Sequence, residues 1–311
     1  MRHLYSALFY LLLPLVVLRM LLRSRQAPEY RRRLAERLGV FAVPTRLAQA
    51  PVIWVHAVSV GETLAAAPII QSLLHDHPGH RLVVTTTTPT GSERVRALFG
   101  DSVFHVYAPW DLPGAVRRFL RRLRPQLLLI METELWPNML HHSRRAGCRI
   151  VLANARLSER SARGYGRFAG LTRAMLGRLD VVACQAQADG TRFLQLGLPP
   201  AALVITGSIK FDLELGPELR AAAAALREEL AAERRPVLVA ASTHPGEDQQ
   251  VLDAFARVRE QHDNCLMVLV PRHPERFDAV YQLCVDAGWA VHRRSSGEPP
   301  AAADAVLLGD T

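Results

Sequence analysis

From Pro51 onward, short runs of Val, Ile and Leu alternate with stretches of helical periodicity, and nothing else in the chain constrains its fold as much. The apolar runs read as strands at 52–56, 81–85, 103–107, 126–131, 149–153, 181–184 and 203–206. Helical patterns fill the gaps at 62–75, 90–99, 112–123, 135–146, 159–179 and 187–196. Near-continuous apolar strands separated by helices imply a parallel sheet covered on both faces, one doubly wound α/β domain. A linker near 207–215 and a polar, Ala-rich helix from Pro217 to about Glu233 follow. The pattern then restarts, with strands at 237–241, 265–270, 289–292 and 306–308 and helices at 246–262 and 274–287. This is about half of a second doubly wound sheet, ending on Leu308-Gly309-Asp310-Thr311, where ligand loops normally begin.

Ahead of this body, residues 4–18 (LYSALFYLLLPLVVL) are uncharged and apolar, and Met20, Leu21 and Leu22 extend the run past Arg19. Arg19, Arg23, Arg25, Arg31, Arg32, Arg33 and Arg37 lie on its C-terminal side, against Arg2 and His3 before it. This asymmetry orients an uncleaved anchor, spanning or lying in the interface, with the body in the cytoplasm. The basic segment after it is expected to sit against anionic headgroups. The formal net charge of +9 favours partners bearing phosphate or anionic lipid. Basic residues are not interleaved with base-stacking aromatics, so nucleic acid is not expected. The four cysteines form no CxxC pair and read as reduced, buried thiols.

Ligands of open α/β sheets bind at the carboxyl ends of strands, and polar residues collect there in this chain. Ser59-Val60-Gly61-Glu62 follows the first strand, a threonine run (85–88) the second, Glu132-Thr133-Glu134 the fourth and Asn154-Ala155-Arg156 the fifth. Gly207-Ser208-Ile209-Lys210 follows the seventh, and Ser242-Thr243-His244 and Pro271-Arg272-His273-Pro274 hold the same place in the second unit. Glu62 at a helix N-terminus reads equally as a general base or as a first-turn Glu complementing the dipole. The dipole would keep it ionised and make it a weaker base. Glu132 and Glu134 should raise each other's pKa unless a donor intervenes; alternatively Thr133 caps the next helix and Glu134 is a first-turn residue, which leaves Glu132 unexplained. Lys210 and Arg272 are the cations best placed for a phosphate, Arg272 stiffened between prolines, although a surface arginine is the plainer reading. His244 and His273 have no partners at metal-ligand spacing, so no metal site is expected. Phosphate-loop, dinucleotide and nucleophile-elbow motifs do not occur.

In their order behind an apolar N-terminus, WVHAVSVGE, TTTTPTGSER, METELWPN, NARLSERS, GSIKFD, ASTHPGED and LVPRHPERF resemble the bacterial 3-deoxy-D-manno-octulosonic acid (Kdo) transferases of lipid A assembly. The resemblance covers nearly the whole chain. It implies a GT-B glycosyltransferase of two Rossmann-like domains facing a cleft, with an anchor at 1–25, a basic helix and linker at 26–50, an acceptor domain at 51–208 and a nucleotide-sugar domain at 209–311. It implies inverting transfer of Kdo from CMP-Kdo to the tetraacyl lipid A precursor at the cytoplasmic face of the inner membrane, with no cofactor and no metal. It carries the general base to Glu62, transition-state stabilisation to Glu132 and Lys210, and CMP contacts to Pro271 and Arg272. Family members continue well past Gly309-Asp310-Thr311. A chain ending there is expected to have an incomplete second sheet with an exposed edge, part of its CMP site missing, and little stability or activity. The competing readings are a membrane-anchored remnant that binds acidic lipid, and a GT-B transferase using a different sugar nucleotide.

Overall fold

In a computed structural model the described residues are 1–24, 28–45, 50–212, 216–301 and 303–311. They form two compact units, Met1–Leu213 and Glu214–Thr311. Parts of the linker and of the basic segment expected at 26–50 lie outside the described residues.

The first unit is built on a parallel seven-stranded sheet of order β3-β2-β1-β4-β5-β6-β7. Its strands are β1 Val52–His56, β2 Arg81–Thr86, β3 Phe104–Tyr107, β4 Pro125–Met131, β5 Arg149–Ala155, β6 Val181–Cys184 and β7 Leu203–Ile205. All of β1 is buried, and alternate side chains enter different cores. Trp54 joins Phe119, Leu128 and Ile150 on one face, while Ile53 and Val55 join Ile70, Val84 and Val95 on the other. The helices are α1 Arg2–Arg23, α2 Leu34–Arg37, α3 Val60–Asp76, α4 Pro89–Phe99, α5 Pro113–Leu123, α6 Pro137–Arg145, α7 Glu159–Gly166, α8 Ala169–Leu176 and α9 Gln187–Gln195.

Two expectations change. The single helix read across 159–179 is two, broken at Arg167–Phe168, where Phe168 leaves helical geometry and the Thr172 hydroxyl donates to the Tyr165 carbonyl. Glycines at 164, 166 and 170 make continuous helix costly there. Arg33 and Arg37 do not face outward as a headgroup-binding segment would. Arg33 pairs with Glu36 and donates to Ser92 and to the His105 carbonyl, and Arg37 is buried and donates to the Thr87 carbonyl. Both guanidinium groups lie over the Tyr107 ring, 4.6 and 4.4 Å from its centroid.

α1 is long and apolar enough to cross a membrane by length and composition. Its first two turns are docked on the body: Arg2 donates to Asn138 Oδ1 at 2.9 Å, and Ser6 exchanges hydrogen bonds with Asn138. Beyond them Leu11, Leu15 and Leu18 are exposed.

The second unit holds a parallel sheet of order β10-β11-β9-β8, with β8 Val237–Thr243, β9 Leu266–Pro271, β10 Val291–Arg293 and β11 Val306–Leu308. Residues 306–308 thus sit between β9 and β10. α10 Pro217–Glu229, α11 Glu247–Gln261 and α12 Phe277–Asp286 accompany it, and Phe255, Met267, Leu269 and Val306 form its core. Cys148, Cys184, Cys265 and Cys284 are all free and buried, as read from the sequence.

Candidate active site

Strand order in the first sheet reverses between β1 and β4, so the crevice of this unit opens beyond the carboxyl ends of those two strands. The loops there carry Glu62 on one side and Glu132 and Glu134 on the other.

Glu62 is buried and shares a reciprocal cap with Ser59 at the start of α3. Ser59, the N-cap of α3, accepts the Glu62 backbone N–H at 3.2 Å and donates its hydroxyl to Glu62 Oε1 at 2.9 Å. Glu62 Oε2 accepts the Val58 backbone N–H at 2.8 Å. Thr87 braces the same turn by donating its hydroxyl to the Val58 carbonyl. The S-x-x-E spacing that announces this cap is visible in the sequence. Each carboxylate oxygen keeps lone-pair capacity for a further donor. Burial raises the Glu62 pKa above the ordinary glutamate value; the Val58 and Ser59 hydrogen bonds oppose the shift, and Glu134 and Glu132 add to it. The expectation of a weakened base is therefore reversed, because desolvation outweighs the donors at the helix start.

Glu132 follows β4 with φ +55°, a left-handed conformation that costs a non-glycine residue about 1 kcal/mol or more. Its N–H is bonded to the Ala153 carbonyl on β5, which fixes the strained turn. Glu134 accepts the Trp136 indole N–H at 2.8 Å, and burial followed by the Glu132 charge raises its pKa despite that donor. Thr133 caps nothing. Its hydroxyl donates to the Arg156 carbonyl, and the next helix starts only at Pro137. That helix is capped from a distance. Asp111 accepts the N–H groups of Asn138 and Met139 at 2.9 and 2.7 Å, a partnership with no sequence-local signal.

Two buried side-chain nitrogens at this edge have no hydrogen-bond partner among the described residues. His56, fully buried at the end of β1, lies edge-on to Trp136 (centroids 4.8 Å apart) and faces Thr85 Oγ1 through Nδ1, leaving Nε2 unpaired. Burial drops its pKa to about 3, so it is neutral. Asn154, at φ +54°, accepts the Ile209 N–H at 3.3 Å and leaves Nδ2 unpaired. Through that bond Asn154 pins the 209–212 turn, which also packs against α3, while the Lys210 side chain is exposed.

In the second unit Ser242 has φ +62° at the end of β8, the Arg272 N–H is bonded to the Thr243 carbonyl at 3.0 Å, and Pro271 is buried while Arg272 is exposed. Arg276 pairs with buried Asp248, which also accepts the Thr243 hydroxyl. Gly309 passes so close to Val270 that a Cβ would lie 2.8 Å from Cγ2, so a larger residue there would force Val270 to shift. Asp310 beyond it is buried; burial pushes its pKa up, but Ser295 and Arg293 prevail and hold it below the usual carboxylate value. Among the described residues no three His, Cys, Asp or Glu side chains are grouped to hold a metal ion.

Residues 32–213 match the family model described as 3-deoxy-D-manno-octulosonic-acid transferase (kdotransferase). The chain is also 42% identical to the 3-deoxy-D-manno-octulosonic acid transferase of Haemophilus influenzae, over 100% of this chain and 72% of that protein. The chain belongs to the Kdo transferase family. The Bordetella pertussis family member is 40% identical over 100% of this chain and 73% of its own length. A UDP-GlcNAc 2-epimerase from Neisseria meningitidis matches the fold at a TM-score of 0.57 and 11% identity, covering 84% of this chain and 72% of its own. The fold class is GT-B, as the sequence indicated, and the family makes the chain a glycosyltransferase that transfers Kdo in lipopolysaccharide biosynthesis.

Proposed function

We propose that the chain transfers Kdo from CMP-Kdo to the tetraacyl lipid A precursor with inversion at the anomeric carbon. Glu62 takes the proton of the acceptor's primary hydroxyl as that oxygen attacks the Kdo anomeric carbon from the face opposite the phosphate. The carbon–oxygen bond to the phosphate breaks, CMP leaves with the electron pair, and the proton remains on Glu62 until solvent removes it. Glu132 and Lys210 stabilise the oxocarbenium-like transition state, and Pro271 with Arg272 holds the CMP. The observation that carries this reading is the Glu62 carboxylate, buried at the switch point, fixed by two donors and raised in pKa by burial, as a base near neutral pH requires.

The anchor and a basic surface with no ion pair among the described residues support action at the cytoplasmic face of a membrane. A pocket of about 740 Å³ between α5 and α6 is lined by Arg117, Arg118, Arg121, Arg124 and Arg145 with His142, and by no carboxylate. Arg117 and Arg118 are held in place by the Pro113 and Leu38 carbonyls, which leaves their charge unneutralised. Anionic headgroups are the partner such a pocket suits.

The test is Kdo transfer from CMP-Kdo to the tetraacyl precursor in detergent, with CMP and UDP as competitors. Transfer protected by CMP is expected. Protection by UDP instead would assign a different donor.

A further inference from the structure

Beside the carboxylates the first unit has an apolar groove of about 610 Å³. One wall is the start of α1, with Leu4 and Leu8; the other is the broken helix pair α7–α8, with Phe168 and Leu171; Trp136 and Tyr165 lie between. No charged side chain lines it. We infer that this groove seats one fatty acyl chain of the acceptor, and so sets acyl dependence and places the sugar hydroxyl at Glu62. The inference rests on the lipid acceptor proposed above.

Three observations converge on an acyl chain. The groove's inner end is tied to the site: the Trp136 indole donates to Glu134, and the Tyr165 hydroxyl donates to the Thr133 carbonyl between Glu132 and Glu134. Its α1 wall continues into the exposed Leu11, Leu15 and Leu18, so a chain in the groove is continuous with the hydrocarbon that this helix would enter. The wall is also fixed, because Arg2 and Ser6 anchor the first two turns of α1 to Asn138. On the opposite wall Gly164, Phe168, Leu171 and Met175 recur at i+3 and i+4 spacing, so one stripe of the α7–α8 pair faces the groove.

Gly164 lines the groove, and a Cβ built there meets nothing within 4 Å. Gly164→Leu therefore puts a better helix former there and projects its side chain into the groove from an unobstructed Cβ. Trp136 serves as the reporter. A tetraacyl acceptor with brominated chains, added to the full chain in an unbrominated detergent, should quench a component of the fluorescence that is missing in Trp136→Phe. Gly164→Leu should remove that quenching. In transfer assays the same variant should lower the preference for the tetraacyl acceptor over its deacylated disaccharide at least tenfold, since each seated methylene is worth about fourfold at ~0.8 kcal/mol per CH₂. Quenching that is absent in the wild-type chain, or that persists in Gly164→Leu, overturns the groove. Quenching as expected without any Kdo transfer keeps the groove and removes the acceptor reaction. Transfer without quenching keeps the reaction and removes the groove.

Discussion

Ser59 and Glu62 cap each other: the serine hydroxyl accepts the glutamate's N–H at 3.2 Å and donates to its carboxylate at 2.9 Å. The residue proposed as the base thus also begins α3. Structural and catalytic readings of Glu62 need not compete, because the cap fixes the carboxylate without exhausting its lone pairs. The two can be separated by isostere. Glu62→Gln keeps an acceptor for Val58 and a donor for Ser59, so the cap survives while the base is lost. Transfer should fall by roughly 10²–10⁴ with CMP binding intact. A loss below about tenfold would remove the base from Glu62.

The same substitution carries a pH signature. Burial holds the Glu62 pKa above its unfolded value, so its ionisation opposes folding. Glu62→Gln should therefore be the more stable protein above that pKa, and the advantage should shrink as the pH falls through it and vanish below the unfolded value. In the wild type the acidic limb of kcat/KM should lie above the ordinary glutamate range of about 4.3. Urea denaturation at a series of pH values, with pH–rate profiles beside it, measures both. A limb at or below that range contradicts the buried-base geometry.

Asp111 is predicted to matter for folding more than for chemistry. It takes two N–H groups of α6, and Asn138 Nδ2 donates to its carbonyl. Asp111→Ala leaves buried donors unpaired and should destabilise the first unit by about 2–3 kcal/mol. Trp54, Trp110 and Trp136 belong to that unit and Trp289 to the other, so tryptophan fluorescence reports mainly its transition. An unchanged midpoint would mean that α6 has another cap.

The arginine pocket makes a prediction of its own. At about 1 kcal/mol for each basic side chain near an anionic surface, Arg117→Gln with Arg121→Gln should weaken binding to phosphatidylglycerol vesicles by about 30-fold. Binding to phosphatidylcholine vesicles should not change. Equal losses on both surfaces would assign these residues to folding.

Arg272 should not tolerate lysine. A guanidinium can grip the CMP phosphate with two parallel bonds, and an ammonium acts only as a point charge. Arg272→Lys should raise the KM for CMP-Kdo at least tenfold, measured at saturating acceptor. An unchanged value would move the phosphate contact elsewhere.

The order of elements was legible in the chain because burial on both faces of a parallel strand demands an unbroken apolar run, and β1, β4 and β9 obey it. That Glu62 and Glu132 in the first unit and Arg272 in the second follow strand ends was legible for the same reason, since strand ends are where such runs stop. Even the Ser59–Glu62 cap is a local spacing that could have been read.

Contacts made across the fold were not. The Asp111 cap on α6, the Asn154 grip on the 209–212 turn, the left-handed turn at Glu132 and the burial that raises the Glu62 pKa all join residues far apart in sequence. Local spacing carries no record of them, because they depend on which strands become neighbours and on how much water the packed sheet excludes.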